Sequence, residues 1–151
     1  MQSDKDPKYR ASELHYSTND SRASVAMNLA TAYPEEAEIV RWTRTLTLDR
    51  MANHIHLNED FQLRSKVAVQ LSFMTPRVPT LGPAGKVLLT TADASARNVA
   101  LSYSSALLVA SIEKIDLTDD WLVSRWGRTI YRVLLTSSAP TDKGNWRIEF
   151  A

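Results

Sequence analysis

Residues 38–63, EIVRWTRTLTLDRMANHIHLNEDFQL, spell two strands and the turn between them in one continuous pattern, and no other stretch limits the fold of this chain so strongly. Trp42, Arg44, Leu46 and Leu48 share one face by period-two spacing, and Arg41, Thr43, Thr45 and Thr47 share the other. Threonine and leucine in alternation suit a pleated surface. After a polar turn at 49–53 the apolar series resumes with Ile55 and Leu57, then Phe61 and Leu63. The polar run 58–60 reads as a slip of phase. A slip of one position would turn every apolar side chain to the wrong face, so a bulge is expected there.

The same reading extends along the chain. Segments 9–18, 23–29, 38–49, 54–63, 66–74, 86–91, 97–103, 107–116, 128–138 and 145–150 each suit a strand. KVAVQLSFM is the clearest: Val67, Val69, Leu71 and Phe73 share the face expected in the core, and Lys66, Ala68, Gln70 and Ser72 the other. Turn chemistry separates the strands at TNDS (18–21), YPEE (33–36), PRVPTLGPAG (76–85) and TDKGN (141–145). TDDWLVSRWG reads as a loop with one turn of helix, capped by Thr118 or Asp119 and ended by Gly127. About ten short strands with short connections predict an all-β fold, an antiparallel β-sandwich over 1–151.

Size and charge narrow the class further. A chain of 151 residues with 44% hydrophobic content suffices for one domain, burying about 70% of its unfolded surface. Zero cysteines exclude disulfides and thiolate metal sites. No charged leader precedes an apolar run at the start, MQSDKDPKYR, and no apolar stretch reaches the roughly 18 residues of a membrane span. Neither a membrane nor a nucleic-acid partner is expected. Eighteen basic against seventeen acidic residues leave a net charge of +1, without the basic surplus of a polyanion-gripping surface. Arg41, Arg44, Arg50, Arg64, Lys66 and Arg77 are spread over faces and turns, as solvated strand faces are.

Several strings in this frame carry a resemblance. Ala32-Tyr33-Pro34, Trp42-x-Arg44, the D-F-x-L run from Asp60 to Leu63, MTPRVP at 74–79, WGRTIYRVLLT at 126–136 and NWRIEF at 145–150 together resemble the C-terminal β-sandwich region of heparinase II/III-like polysaccharide lyases. The resemblance runs from about residue 9 to the end. It implies a parent enzyme with an α/α toroid of helices followed by β-sheet domains, cleaving uronic-acid-containing glycans by β-elimination. In that family the catalytic Tyr, Asn and one His lie on the helical part, and another His and the metal-binding residues lie early in the β region. No glycine-flanked HxD or HN segment of that early region occurs here, so no catalytic residue carries over. The resemblance therefore implies a non-catalytic accessory domain. Its implied partners are the helical toroid and, through the parent, an acidic polysaccharide; its cofactors are none in this chain, with any divalent metal of the parent bound elsewhere. A periplasmic or secreted parent fits the family, while this sequence itself leaves the compartment open. The reading from another class is a free-standing carbohydrate-binding or structural sandwich.

Individual residues set further expectations. His54 and His56, two apart on a strand, project from one face and offer two imidazoles to a metal, with Glu59, Asp60 or His15 as possible third ligands. An exposed polar face is the plainer reading of the pair. Arg44 lies inside an apolar face and requires a partner, since an unpaired buried charge costs several kcal/mol. Asp60 on the adjoining strand is the expected partner, and Arg132 in IYRVLL raises the same question, so Arg44, Asp60 and Arg132 are expected as structural buried charges. The alternative for the arginines is bidentate contact with a uronate. Trp42 and Trp146 fall at inward positions, whereas Trp121 and Trp126 are the candidates for stacking on a sugar. Of the five tyrosines only Tyr16 adjoins a histidine, His15, and neighbours on a strand face opposite ways. No catalytic role is assigned to any of them.

Overall fold

A computed structural model describes residues 9–83, 85–91 and 96–151. Among these, eleven strands and one α-helix occur: β1 (Ser12–Thr18), β2 (Arg22–Asn28), β3 (Ile39–Asp49), β4 (His54–Val67), β5 (Gln70–Thr75), β6 (Val78–Leu81), β7 (Lys86–Thr90), β8 (Val99–Ser102), β9 (Leu108–Asp116), α1 (Asp120–Trp126), β10 (Thr129–Ser137) and β11 (Thr141–Phe150). The fold is all-β and antiparallel, a β-sandwich by class. The opening MQSDKDPK and position 84 of the 76–85 turn lie outside the described residues. Among the described residues no helix is long and apolar enough to cross a membrane. The chain divides into two compact units, Met1–Val67 with Pro140–Ala151, and Ala68–Ala139.

The first unit carries the strands β1-β2-β3-β4-β11 in that order. Its backbone is set by the alternation at 38–63. Trp42 lies opposite Phe61, Arg44 opposite Glu59, Leu46 opposite Leu57 and Leu48 opposite Ile55, without a break from Arg41 to Asp49. The bulge expected at 58–60 is absent. Glu59 occupies the inward place between Leu57 and Phe61, so the series 55, 57, 59, 61, 63 never changes phase; a carboxylate standing among apolar residues imitated a slip. In the connecting turn Asp49 Oδ1 accepts the backbone N–H groups of Met51 and Ala52 at 3.0 Å each. Asn53 takes the left-handed conformation at φ 56°, which asparagine tolerates better than most residues.

β11 begins earlier than its sequence suggests. TDKG reads as a turn, yet Lys143 and Gly144 pair with Gln62 and Phe61, after an irregularity next to Thr141. Packing overrides turn propensity at this point. A Cβ on Gly144 would stand 2.5 Å from two ring carbons of Phe61, so the glycine serves the ring that lies across the strand. Phe61 is held between Trp42, stacked at 4.9 Å, and Trp146, edge-on at 4.7 Å.

The second unit has two layers. Strands β8-β7-β6 form one and β5-β10-β9 the other. Val87, Leu89 and Leu101 of the first layer and Leu71, Leu108, Val133 and Leu135 of the second are buried, and β6 touches both β9 and β10. β6 arises inside the stretch read as a turn. It pairs with β7 alone, and an edge strand admits Pro79, which has no N–H to donate. The segment 66–74, read as one strand, is two: Val67 ends β4 opposite Thr141, whereas Val69 exchanges hydrogen bonds with Ser137 through its N–H to Oγ and its carbonyl to the Ser137 N–H. Val69 and Leu71 are buried as expected, but Val67 is exposed.

Candidate functional site

The five-stranded face of the first unit has an apolar side and a polar side, and each gathers charged groups for a different reason. On the apolar side Glu59 is fully buried. Its Oε1 accepts from the Arg44 guanidinium, Nε and Nη2 both at 2.6 Å, and its Oε2 accepts the Trp42 indole N–H at 2.6 Å. Three charge-assisted or polar donors thus satisfy one carboxylate. Arg44 was expected to pair with Asp60. Asp60 instead faces the polar side, where it meets Arg41 Nη2 at 2.6 Å and Asn145 Nδ2 at 3.2 Å, 42% exposed. The correction follows from parity: opposite residues of β3 and β4 share a face, and Arg44 is opposite Glu59 while Asp60 is opposite Thr43.

Arg132 on β10 is also not buried. Both it and its partner Glu113, directly opposite on β9, are more than two-fifths exposed. An ion pair this open contributes little to stability.

Toward the hairpin end, the apolar side of the first unit is uncovered within that unit. Tyr16, Leu46, Leu48 and Ile55 are exposed. With Ala23 and Val25 they line a shallow apolar depression of about 260 Å³. Ile55, expected in the core, belongs to this open part, while Leu57 is buried.

The polar side brings His54 and His56 together with Glu149. Glu149 is opposite His56 in the β4–β11 register. One carboxylate oxygen lies 3.5 Å from His54 Nδ1 and the other 3.2 Å from His56 Nδ1. Arg147 Nη2 stands 3.1 Å from His56 Nδ1. None of the three third ligands expected from sequence joins them. Glu59 faces the other side, Asp60 is engaged with Arg41 and Asn145, and His15 on β1 lies three strands from β4. Glu149 escaped notice because it comes ninety-odd residues later, though the alternation Trp146, Ile148, Phe150 puts Arg147 and Glu149 on the polar side.

Trp121 and Trp126 sit on α1, a longer helix than the single turn expected. Asp119 caps it by accepting the Leu122 N–H at 2.9 Å. The two indoles are five residues apart, about 140° around the axis, and so form no common plane. Trp121 is 66% exposed with Arg125 over its ring at 6.0 Å. Trp126 instead borders an apolar cavity with Met74, Leu117, Leu122 and Ile130.

Compared with protein-family models and with curated proteins, the chain matches none.

Proposed function

We propose that this chain is a non-catalytic β-sandwich domain of a heparinase II/III-like polysaccharide lyase, working beside a helical toroid that supplies the chemistry of β-elimination. The observation that carries this reading is the convergence of the motif residues. Trp42 and Arg44 of the W-x-R string, Phe61 of D-F-x-L and Trp146 of NWRIEF, far apart in sequence, meet around Glu59 in one packed cluster. Residues spent on packing and on satisfying a buried carboxylate serve architecture, which suits an accessory domain. The open apolar side at Tyr16, Leu46, Leu48 and Ile55 supplies a surface for the helical partner. The acidic polysaccharide is a partner of the parent enzyme, and any catalytic metal belongs to its other part.

A carbohydrate-binding module is the second reading, favoured by the exposed indole of Trp121, which is 66% accessible against 51% for Trp126. Supplying acidic polysaccharides to the full gene product and to residues 1–151, while following the ultraviolet absorbance of unsaturated uronates, tests the first. Cleavage by the full product and none by residues 1–151 is expected. Cleavage by residues 1–151 alone, or none by either, overturns it. Retardation of residues 1–151 in a polysaccharide gel, lost in Trp121→Ala, would favour the binding module.

A further inference from the structure

We infer that His54, His56 and Glu149 form a binding site for a divalent transition ion, zinc by preference, on the polar side of the first unit. Successive same-face residues of a strand are separated by about 6.7 Å of rise. Here, however, one ligand atom from each of the three side chains lies within 4.8 Å of the others. The convergence comes from Glu149 on the neighbouring strand, whose two oxygens reach one imidazole each. A tetrahedral ion with bonds of about 2.0–2.1 Å needs ligand atoms roughly 3.4 Å apart. One carboxylate oxygen already stands 3.2 Å from His56 Nδ1, and the other 3.5 Å from His54 Nδ1. Rotation of the imidazoles and the carboxylate has to close the rest, from at most 4.8 Å to about 3.4 Å.

The donor set selects the ion. Two imidazole nitrogens and one carboxylate oxygen suit zinc and its transition-series neighbours, whereas magnesium and calcium prefer oxygen shells. Three protein ligands leave a fourth position for water or for an anionic group of a ligand. The histidines and Glu149 are part-buried, with side-chain exposures of 35%, 16% and 34%, which leaves an entry path. Around them lie Thr47 and Asp49 on β3, opposite His56 and His54, and the Arg147 guanidinium, 3.9 Å from Glu149. Arg147 is the competitor. It occupies the place of a cation beside His56 and Glu149, and at 62% exposure its long side chain can swing into solvent.

That competition separates a metal site from a plain hydrogen-bonded cluster. Tag-free residues 1–151, stripped with chelator, are titrated with zinc chloride by calorimetry and with cobalt(II) by visible absorption. One ion per chain is expected, with cobalt bands of low coordination number. His54→Ala, His56→Ala and Glu149→Gln should each weaken zinc about tenfold or more, and His15→Ala should change nothing. Arg147→Ala should bind zinc as tightly as the parent or more tightly. Circular dichroism of each variant verifies the fold, and Glu149→Gln and Arg147→Ala keep the test decisive should a histidine variant unfold. Absence of zinc binding at millimolar concentration, binding indifferent to both histidines, or weaker binding in Arg147→Ala would overturn the assignment.

Discussion

Arg44 and Glu59 face each other across β3 and β4, the guanidinium 2.6 Å from a carboxylate that has no solvent exposure. Removing the cation strands a charge in the interior. Arg44→Met is therefore expected to cost about 3 kcal/mol, the lower end of the range for breaking a buried pair because Arg44 is one-third exposed. Replacing both, Arg44→Met with Glu59→Leu, should cost less than Arg44→Met alone, since no unpaired charge remains. Urea denaturation of the two variants checks this. A single variant within about 0.5 kcal/mol of the parent would show that the pair is dispensable.

Gly144 answers to Phe61. A Cβ at 144 would lie 2.5 Å from the Phe61 ring and 3.0 Å from the Trp146 indole nitrogen, and the ring cannot retreat because Trp42 covers its other side. Gly144→Ala should thus destabilise by about 1–3 kcal/mol, the usual cost of overpacking. Near-ultraviolet circular dichroism should change with it, as three aromatic rings are displaced together. Combining Gly144→Ala with Phe61→Leu should cost less than the two single changes added.

Asp49 gives the hairpin turn a defined pH dependence. The Ala52 N–H foremost holds its carboxyl below the ordinary 3.8 against desolvation, which raises it, with lesser help from the Met51 N–H and the charges of Arg22 and His56. A depressed folded-state pKa adds stability that is complete above the unfolded value and is lost as pH falls through the folded one. Asp49→Ala should accordingly be less stable than the parent near neutrality. The gap in urea midpoint should stay constant above the ordinary carboxylate range and close as pH falls below the unfolded value of 3.8. A gap that persists undiminished in acid would assign the effect to something other than the ionised carboxylate.

β3 was legible despite Arg44, because Leu46 and Leu48 continue its face beyond the charge, whereas β4 was misread where Glu59 falls inside a run of three polar residues, 58–60. Glu59 is the instructive case. Its parity agrees with Leu57 and Phe61, but hydropathy alone puts a carboxylate outside, and only the two donors on β3 make an inward place tenable. Gly144 and Pro79 misled for the opposite reason, as both are turn formers by local preference. Phe61 requires the first, and an edge position admits the second. The histidine pair was legible as a pair because both sit on β4; Glu149 was not, because β11 joins β4 only after the whole second unit has been threaded between them. Local spacing reports neighbours on one strand and says little about which strand comes to lie beside it.

The open apolar side of the first unit yields the prediction that bears most directly on the accessory-domain proposal. Leu48 and Ile55, opposite one another in the register and 37% and 42% exposed, line it beside the hairpin turn. Burying such side chains against a partner is worth roughly 1–2 kcal/mol each. Leu48→Ser with Ile55→Thr should lower the urea midpoint of residues 1–151, because about three-fifths of each side chain is already covered within the chain, and circular dichroism verifies that the double variant is folded before it is titrated. The same pair of changes should weaken association with the helical toroid that the accessory-domain proposal requires, expressed separately, by about tenfold or more, equivalent to about 1.4 kcal/mol. Trp121→Ser, on α1 of the second unit, serves as the comparison and should leave that association intact. Equal affinity for parent and double variant, measured by calorimetry at one salt concentration, would remove this surface from the proposed interface.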